Sequence, residues 1–459
     1  MTAPAKTWKC AACSYLHTGP EPPDICPVCA APADLFVEEE PPEPQAPPVI
    51  DTEDYLAAWR RPDDDLEPRF ARLQSLATTG KTDISAMGTH QPMVGWDALL
   101  FYGAQLDRLP LDTGEDVQTR TVIGPGAAKP LELGIPFYVS HMSFGALSKE
   151  AKIALARGAA AVDTAIGSGE GGLLAEERDH ARHYIYELGT APFSRKDESI
   201  RAADAVEIKI GQAAKPGLGG HLPGDKVTEE IAAVRGLKPG EASISPSRQP
   251  DIHSPEDLRR LVDRLRELTE GKPIGVKITA GRIERDLAFV LAAGPDFITV
   301  DCRGGGTGAA PTIVKDNVCL PPVFAIRRAR RFLDEQKSQA TLCVTGGFRD
   351  SADIAKALAL GADAVALATA SMIAIGCQQY RICHTGRCPV GIATQDPQLR
   401  GRLVIDKSVE RFVQLYRGTT EELKTIARLC GRDDVHRLDL SDVFTTSYEV
   451  AQFTDIAHA

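Results

Sequence analysis

The runs IGVKIT at 274–279, DFITVD at 296–301, TLCVT at 341–345 and AVALA at 364–368 decide the fold. Each is short and rich in β-branched residues, and longer helical patterns at 284–293, 322–336 and 351–360 lie between them. Upstream, IPFYVSH at 135–141, DTAIG at 163–167, VEIKI at 206–210 and ASIS at 242–245 continue the series. Helical patterns at 148–160, 226–235 and 255–269 separate these four. Eight strands alternating with helices predict a parallel sheet closed into a (β/α)8 TIM barrel over 131–400. A doubly wound open sheet would alternate in the same way, and the count of eight favours the barrel.

Residues 1–36 form a unit dense in Cys, Pro and Gly, too short to fold on an apolar core alone. An acidic, Pro-rich run at 37–52 reads as a stiff linker. Residues 53–130 read as an extension covering one end of the barrel, with helical stretches within 52–76. The tail at 401–459 reads as helices, at 407–417 and 419–430.

The net charge of the 459-residue chain is −11, which argues against nucleic-acid binding. No run of 18 apolar residues is present and the N-terminus lacks the apolar core of a signal peptide, so a cytoplasmic protein without a membrane span is expected. The chain has 11 cysteines, an odd number of which seven cluster, a pattern that favours metal over disulfides.

Cys10, Cys13, Cys26 and Cys29 follow the spacing C-x2-C-x12-C-x2-C, which places four thiolates around one metal. Spacing alone fits a zinc ribbon as well as an iron site. Cys377, Cys383 and Cys388 fall within twelve residues, the last followed by Pro389, and read as iron–sulfur ligands in the segment 376–391. Three ligands suit a 3Fe–4S cluster, or a four-iron cluster with one outside ligand.

Nearly every glycine cluster follows a β run, on the face where barrels of this kind hold their active sites. Glycines there let backbone N–H groups approach a phosphate. Gly346 and Gly347 follow the seventh run, and with Ala368 and Thr369 they are candidate phosphate holders. Lys277 lies on an apolar strand, where a lysine needs a partner. A core carboxylate such as Asp301 would be one.

Two resemblances sharpen these readings. Trp8, His17, the CPVC knuckle, Ala31-Pro32 and Phe36 resemble the rubredoxin domain of rubrerythrins, which implies one redox-active iron; zinc stays open as the alternative. The run GCQQYRICHTGRCPVGIATQDPQLR resembles the cluster-binding segment of glutamate synthase. More of 130–400 is similar to that family: Ser143-Phe144-Gly145-Ala146, Gly169-Glu170-Gly171-Gly172, Gln212 with Lys215-Pro216-Gly217, Ser245-Pro246, Val276-Lys277, and Gly304 through Ala309. The resemblance implies bound FMN, with a 3Fe–4S cluster on Cys377, Cys383 and Cys388. It places Ser143, Gly145, Ala146, Gly305, Gly306, Thr307, Gly346, Gly347, Ala368 and Thr369 around the flavin. Lys277 would stand beside the ring and stabilise its reduced anionic form, Gln212 and Lys215 would bind substrate carboxylates, and Glu170 would join cluster, flavin and substrate. Leu218 and His221 stand where the family usually has acidic and amide residues, which leaves the amine donor open.

The implied activity is reductive amination of 2-oxoglutarate, or a related 2-oxo acid, by ammonia or an amine. The flavin subunit of N-methylglutamate synthase, an N-methyltransferase, is the second reading; a non-enzymatic electron carrier or scaffold is the third. Glutaminase-type and β-helical subunits are expected as partners. A protein electron donor is expected too, since no G-x-G-x-x-G unit for NAD(P)H follows an early strand.

Overall fold

A computed structural model describes residues 6–40, 55–56 and 59–459. Residues 41–52 of the expected linker lie outside the described residues. The chain divides into two units, Met1–Gln74 and Ser75–Ala459.

In the small unit, Lys6–Cys10 is the middle strand of an antiparallel sheet between Leu16–Gly19 and Phe36–Glu39. Val37–Glu39, expected in the linker, instead pairs with Thr7–Lys9. The core is Cys10, Cys26, Ala31 and Phe36, with Trp8, Cys13 and Tyr15 against it. Each Cys knuckle turns back on itself. Ser14 N–H donates to Cys10 O (2.8 Å) and Ala30 N–H to Cys26 O (2.9 Å). Ser14 and Ala30 both take positive φ, 65° and 57°, a conformation that favours glycine.

The large unit is built on a closed eight-stranded parallel barrel. Its strands are Phe137–Val139, Ala165–Gly167, His183–Leu188, Ala205–Lys209, Ile274–Thr279, Phe297–Asp301, Thr341–Thr345 and Ala364–Leu367. The number eight is as expected, but its membership is corrected. His183–Leu188 is the third strand, and ASIS at 242–245 is not in the barrel. Ser243–Ile244 pairs with His221–Leu222 in a small hairpin above the fourth strand. The Gln212 and Ser245 motifs therefore both belong to the long excursion between the fourth and fifth strands.

Alternation sorts the strand residues. Outward residues such as Val206, Ile208, Val276, Ile298 and Val344 join the core shared with the surrounding helices. Inward residues Tyr138, Ala165, Ile185, Ala205, Phe297, Cys343 and Ala364 fill the lower barrel, where Ile123, Leu131 and Leu133 of a hairpin close it. Inward residues one layer higher are charged: Glu187, Glu207 and Lys277, all buried. That layer is the floor of the site.

Parts of the two flanks meet within the large unit. Leu99–Phe101 pairs with Val443–Thr445, which pairs with Ala457–His458, so both flanks share one sheet. Of the helix expected within 52–76, the described residues contain only Phe70–Thr79. The two tail helices are one, Ile405–Leu429. Phe412 and Tyr416 stack on it at 4.0 Å between ring centroids, and Gly158 of helix Lys149–Ala161 leaves room for Phe412. Among the described residues, no helix is long and apolar enough to cross a membrane.

Candidate active site and cysteine centres

The strand-end loops enclose a cleft of about 1100 Å³, its open mouth included. Gly304, Gly305, Gly306 and Thr307 follow the sixth strand on its wall; Gly346, Gly347 and Arg349 follow the seventh. These two loops pack backbone to backbone. A Cβ on Gly346 would stand 2.4 Å from Cys302 O, and one on Gly304 2.8 Å from Gly346 O. Gly346, at φ 123°, holds a conformation no L side chain accepts comfortably. Ala368 and Thr369, where the eighth strand meets its helix, complete this end of the cleft.

The floor is a charge array. Lys277 Nζ bonds to Glu187 Oε1 and lies 3.3 Å from Glu207 Oε2. Glu207 also accepts from Thr299 Oγ1 and stands 3.0 Å from His141 Nε2. Gly169 N–H donates to His141 Nδ1 (3.2 Å), which places the ring proton on Nε2, toward Glu207. Burial disfavours charge on Glu187 and Glu207, but the cationic Lys277 outweighs it and holds both below the usual carboxylate range. Burial likewise opposes the Lys277 charge, yet the two carboxylates raise its pKa. His141, Glu187 and Glu207 place ligand atoms within 4.8 Å of one another, a spacing a metal could use. The ammonium of Lys277 already supplies the cation there.

A second pair lies higher on the wall. Lys209 Nζ is 2.9 Å from Glu170 Oε2 and donates to Gln212 Oε1 at 2.7 Å. Burial raises the Glu170 pKa, but Lys209 outweighs it and the net shift is downward. Gly220 makes room for this carboxylate, since a Cβ there would meet Glu170 Oε1 at 2.7 Å. Asp301 accepts from Ala213 N–H at 2.8 Å, and burial pushes its pKa up to about 6.

Ser143, Ala146, Glu170, Gln212, Lys277, Gly305, Gly306, Thr307, Gly346, Gly347, Ala368 and Thr369 are thus brought onto one cleft. Gly145 and Lys215 are not on its wall. Gly145 backs onto Leu222 and Arg235, and Lys215 is buried nearby, its pKa lowered by burial. Among the core carboxylates that could pair with Lys277, Glu187 and Glu207 hold it, while Asp301, the example given above, does not. Sequence reading missed Glu187, Glu207, His141 and Lys209 as site residues. The one available signal was charged residues at alternate positions in otherwise apolar strands, Glu207 and Lys209 above all.

Cys383 borders the same cleft. Burial raises its pKa to about 11, with further contributions from Cys377 and Cys388, so the three thiols face one region. They do not crowd to single-ion spacing, whereas Cys10, Cys13, Cys26 and Cys29 do. A cluster, larger than one ion, needs that wider separation. The segment is pinned from both sides. Ser148 Oγ donates to Gly391 O (2.7 Å), Gln395 Nε2 to Leu147 O (3.1 Å) and Lys226 Nζ to His384 O (2.7 Å). Two N–H groups of Gln379 point at Cys377 Sγ, at 3.5 and 3.4 Å.

In the small unit, Cys10 Sγ and Cys29 Sγ are 3.7 Å apart, and Cys13 Sγ and Cys26 Sγ 3.6 Å. Four sulfurs tetrahedral about one metal at about 2.3 Å would be separated by about 3.8 Å. The four thiols therefore fit a single ion.

Residues 78–433 match the conserved region in glutamate synthase. The chain belongs to the glutamate synthase family. Residues 8–37 match the rubrerythrin-type rubredoxin-like domain, so this family member carries a rubredoxin-like unit ahead of its barrel. The glutamate synthase large subunit-like protein of Rhizobium meliloti is 38% identical over 408 residues, covering 84% of this chain and 92% of its own. The archaeal-type glutamate synthase [NADPH] of Thermotoga neapolitana is 39% identical over 375 residues, 76% of this chain and 74% of that one. The archaeal glutamate synthase [NADPH] of Archaeoglobus fulgidus is 41% identical over 386 residues, 78% and 75% respectively. This glutamate synthase-family chain is an oxidoreductase.

Proposed function

We propose that the chain forms glutamate, or a related amino acid, by reductive amination of a 2-oxo acid, using FMN and a 3Fe–4S cluster. One observation carries this reading: Cys383 of the three-cysteine segment lines the same cleft as Lys277, Lys209 and Glu170. The glycine-lined end fits the FMN phosphate, because backbone approaches there leave no room for side chains. FMN, when bound, supplies hydride to an imine carbon. Cys377, Cys383 and Cys388 would hold the cluster, and Cys10, Cys13, Cys26 and Cys29 one iron, each a one-electron centre.

The chain's own groups bind and orient. Lys209 and Gln212 offer a cation and an amide to a substrate carboxylate, with Lys215 adding positive charge from behind. Asp301, whose pKa near 6 lies close to neutrality, is better placed than Glu170 to hold a proton for the imine nitrogen. Met142, Leu147, Phe348 and Met372 line the remaining wall and exclude water. Glutaminase-type and β-helical subunits and a protein electron donor are the proposed partners.

The test is turnover by the purified chain with a chemical reductant. Glutamate formed from 2-oxoglutarate and ammonia supports the reading. N-methylglutamate formed from glutamate and methylamine replaces it with the methyltransferase reading. No turnover with either pair, despite bound flavin, favours an electron carrier. Gly346→Val is expected to lower flavin content at least about tenfold, measured by release of flavin on denaturation, since its side chain must displace Cys302 backbone. Retention of stoichiometric flavin in that variant would remove Gly346 from the site.

A further inference from the structure

On the floor of the cleft one ammonium meets two carboxylates. Lys277 is met by two carboxylates, Glu187 and Glu207, each at most 2% exposed. His141 accepts Gly169 N–H on Nδ1 and turns Nε2 toward Glu207 at 3.0 Å. Lys209 is matched by Glu170 at 2.9 Å. Lys215, buried off the wall, adds a second positive charge near Glu170, and Asp301 is reached by the charges of Lys277 and Lys209. Lys277 thus faces two carboxylates, and of these only Glu187 lines the cavity.

A lone buried lysine under a flavin would favour electrons on the ring. Here that ammonium is overbalanced, and burial strengthens what remains of the field. We propose that Glu187 is a positioning residue that holds Lys277 and sets a low reduction potential for the flavin. This reverses the effect expected of Lys277 alone. It rests on the flavin reading above. Glu187 is also a point where the chain controls driving force without touching the substrate's carboxylates: a low potential makes bound flavin a stronger reductant toward the imine.

Glu187→Gln keeps shape and a hydrogen-bond acceptor for Lys277 while removing the charge. The measurement is a reductive dye titration of the flavin band in the full flavin-loaded chain. The expected result is a shift to more positive potential by at least about tenfold in the reduction equilibrium, about 30 mV for a two-electron couple. A shift below about threefold, with flavin bound, overturns the inference and leaves the flavin reading standing. Failure of the wild-type chain to bind flavin overturns that reading itself. If E187Q loses its flavin, Glu207→Gln removes charge from the other side of the same ammonium. It must then shift the potential in the same direction, and no shift overturns the proposal.

Discussion

Lys277→Met is expected to destabilise the barrel unit by about 3–5 kcal/mol, the cost of removing one partner from a buried ion pair. Lys277 is 5% exposed, and its ammonium lies between Glu187 and Glu207. Without it, two buried carboxylates on adjacent strands would face each other with only His141 and Thr299 to help. They would then take up protons or force the strands apart. Equilibrium denaturation by urea measures the loss. In a Glu187→Gln background only one carboxylate is left unpaired, so the same substitution must cost less. A loss under about 1 kcal/mol in the wild-type background would mean that the ammonium does not hold the floor together.

Stripping the metal from Cys10, Cys13, Cys26 and Cys29 is expected to unfold the rubredoxin-like unit and leave the barrel folded. The unit's core has four buried side chains, two of them the thiols themselves. Metal binding contributes about 10–16 kcal/mol in comparable zinc-finger peptides, far more than such a core can replace. Proteolysis of the full chain after chelation should cut within 6–40 while thermal unfolding of the remainder is unchanged. Persistent protection of 6–40 without metal would contradict this account.

The sequence made the barrel legible because alternation of β runs and helices is local. The third strand is not legible because HYIYEL carries Glu187 next to its end, and the partner of that carboxylate, Lys277, is 90 residues away. An ion pair of that separation leaves no local trace, and Glu187 alone reads as exposed. ASIS reads as a barrel strand because a two-residue ladder and a barrel strand look alike over four residues. In the tail, the two expected helices meet at Gly418; glycine costs a helix only about 1 kcal/mol, and packing of Phe412 and Tyr416 outweighs that. The cysteine groups and glycine loops were legible because metal spacing and positive φ act through adjacent residues. The charged floor was not, since each of its members comes from a different strand or strand end.

The proposed flavin and three-cysteine cluster share one cleft. Cofactor content of the anaerobically reconstituted chain tests it most directly. One FMN and about four irons per chain (one plus three) are expected, with about three irons lost in Cys383→Ser while flavin stays bound. A colourless wild-type chain, or a Cys383→Ser variant with unchanged iron, would contradict it.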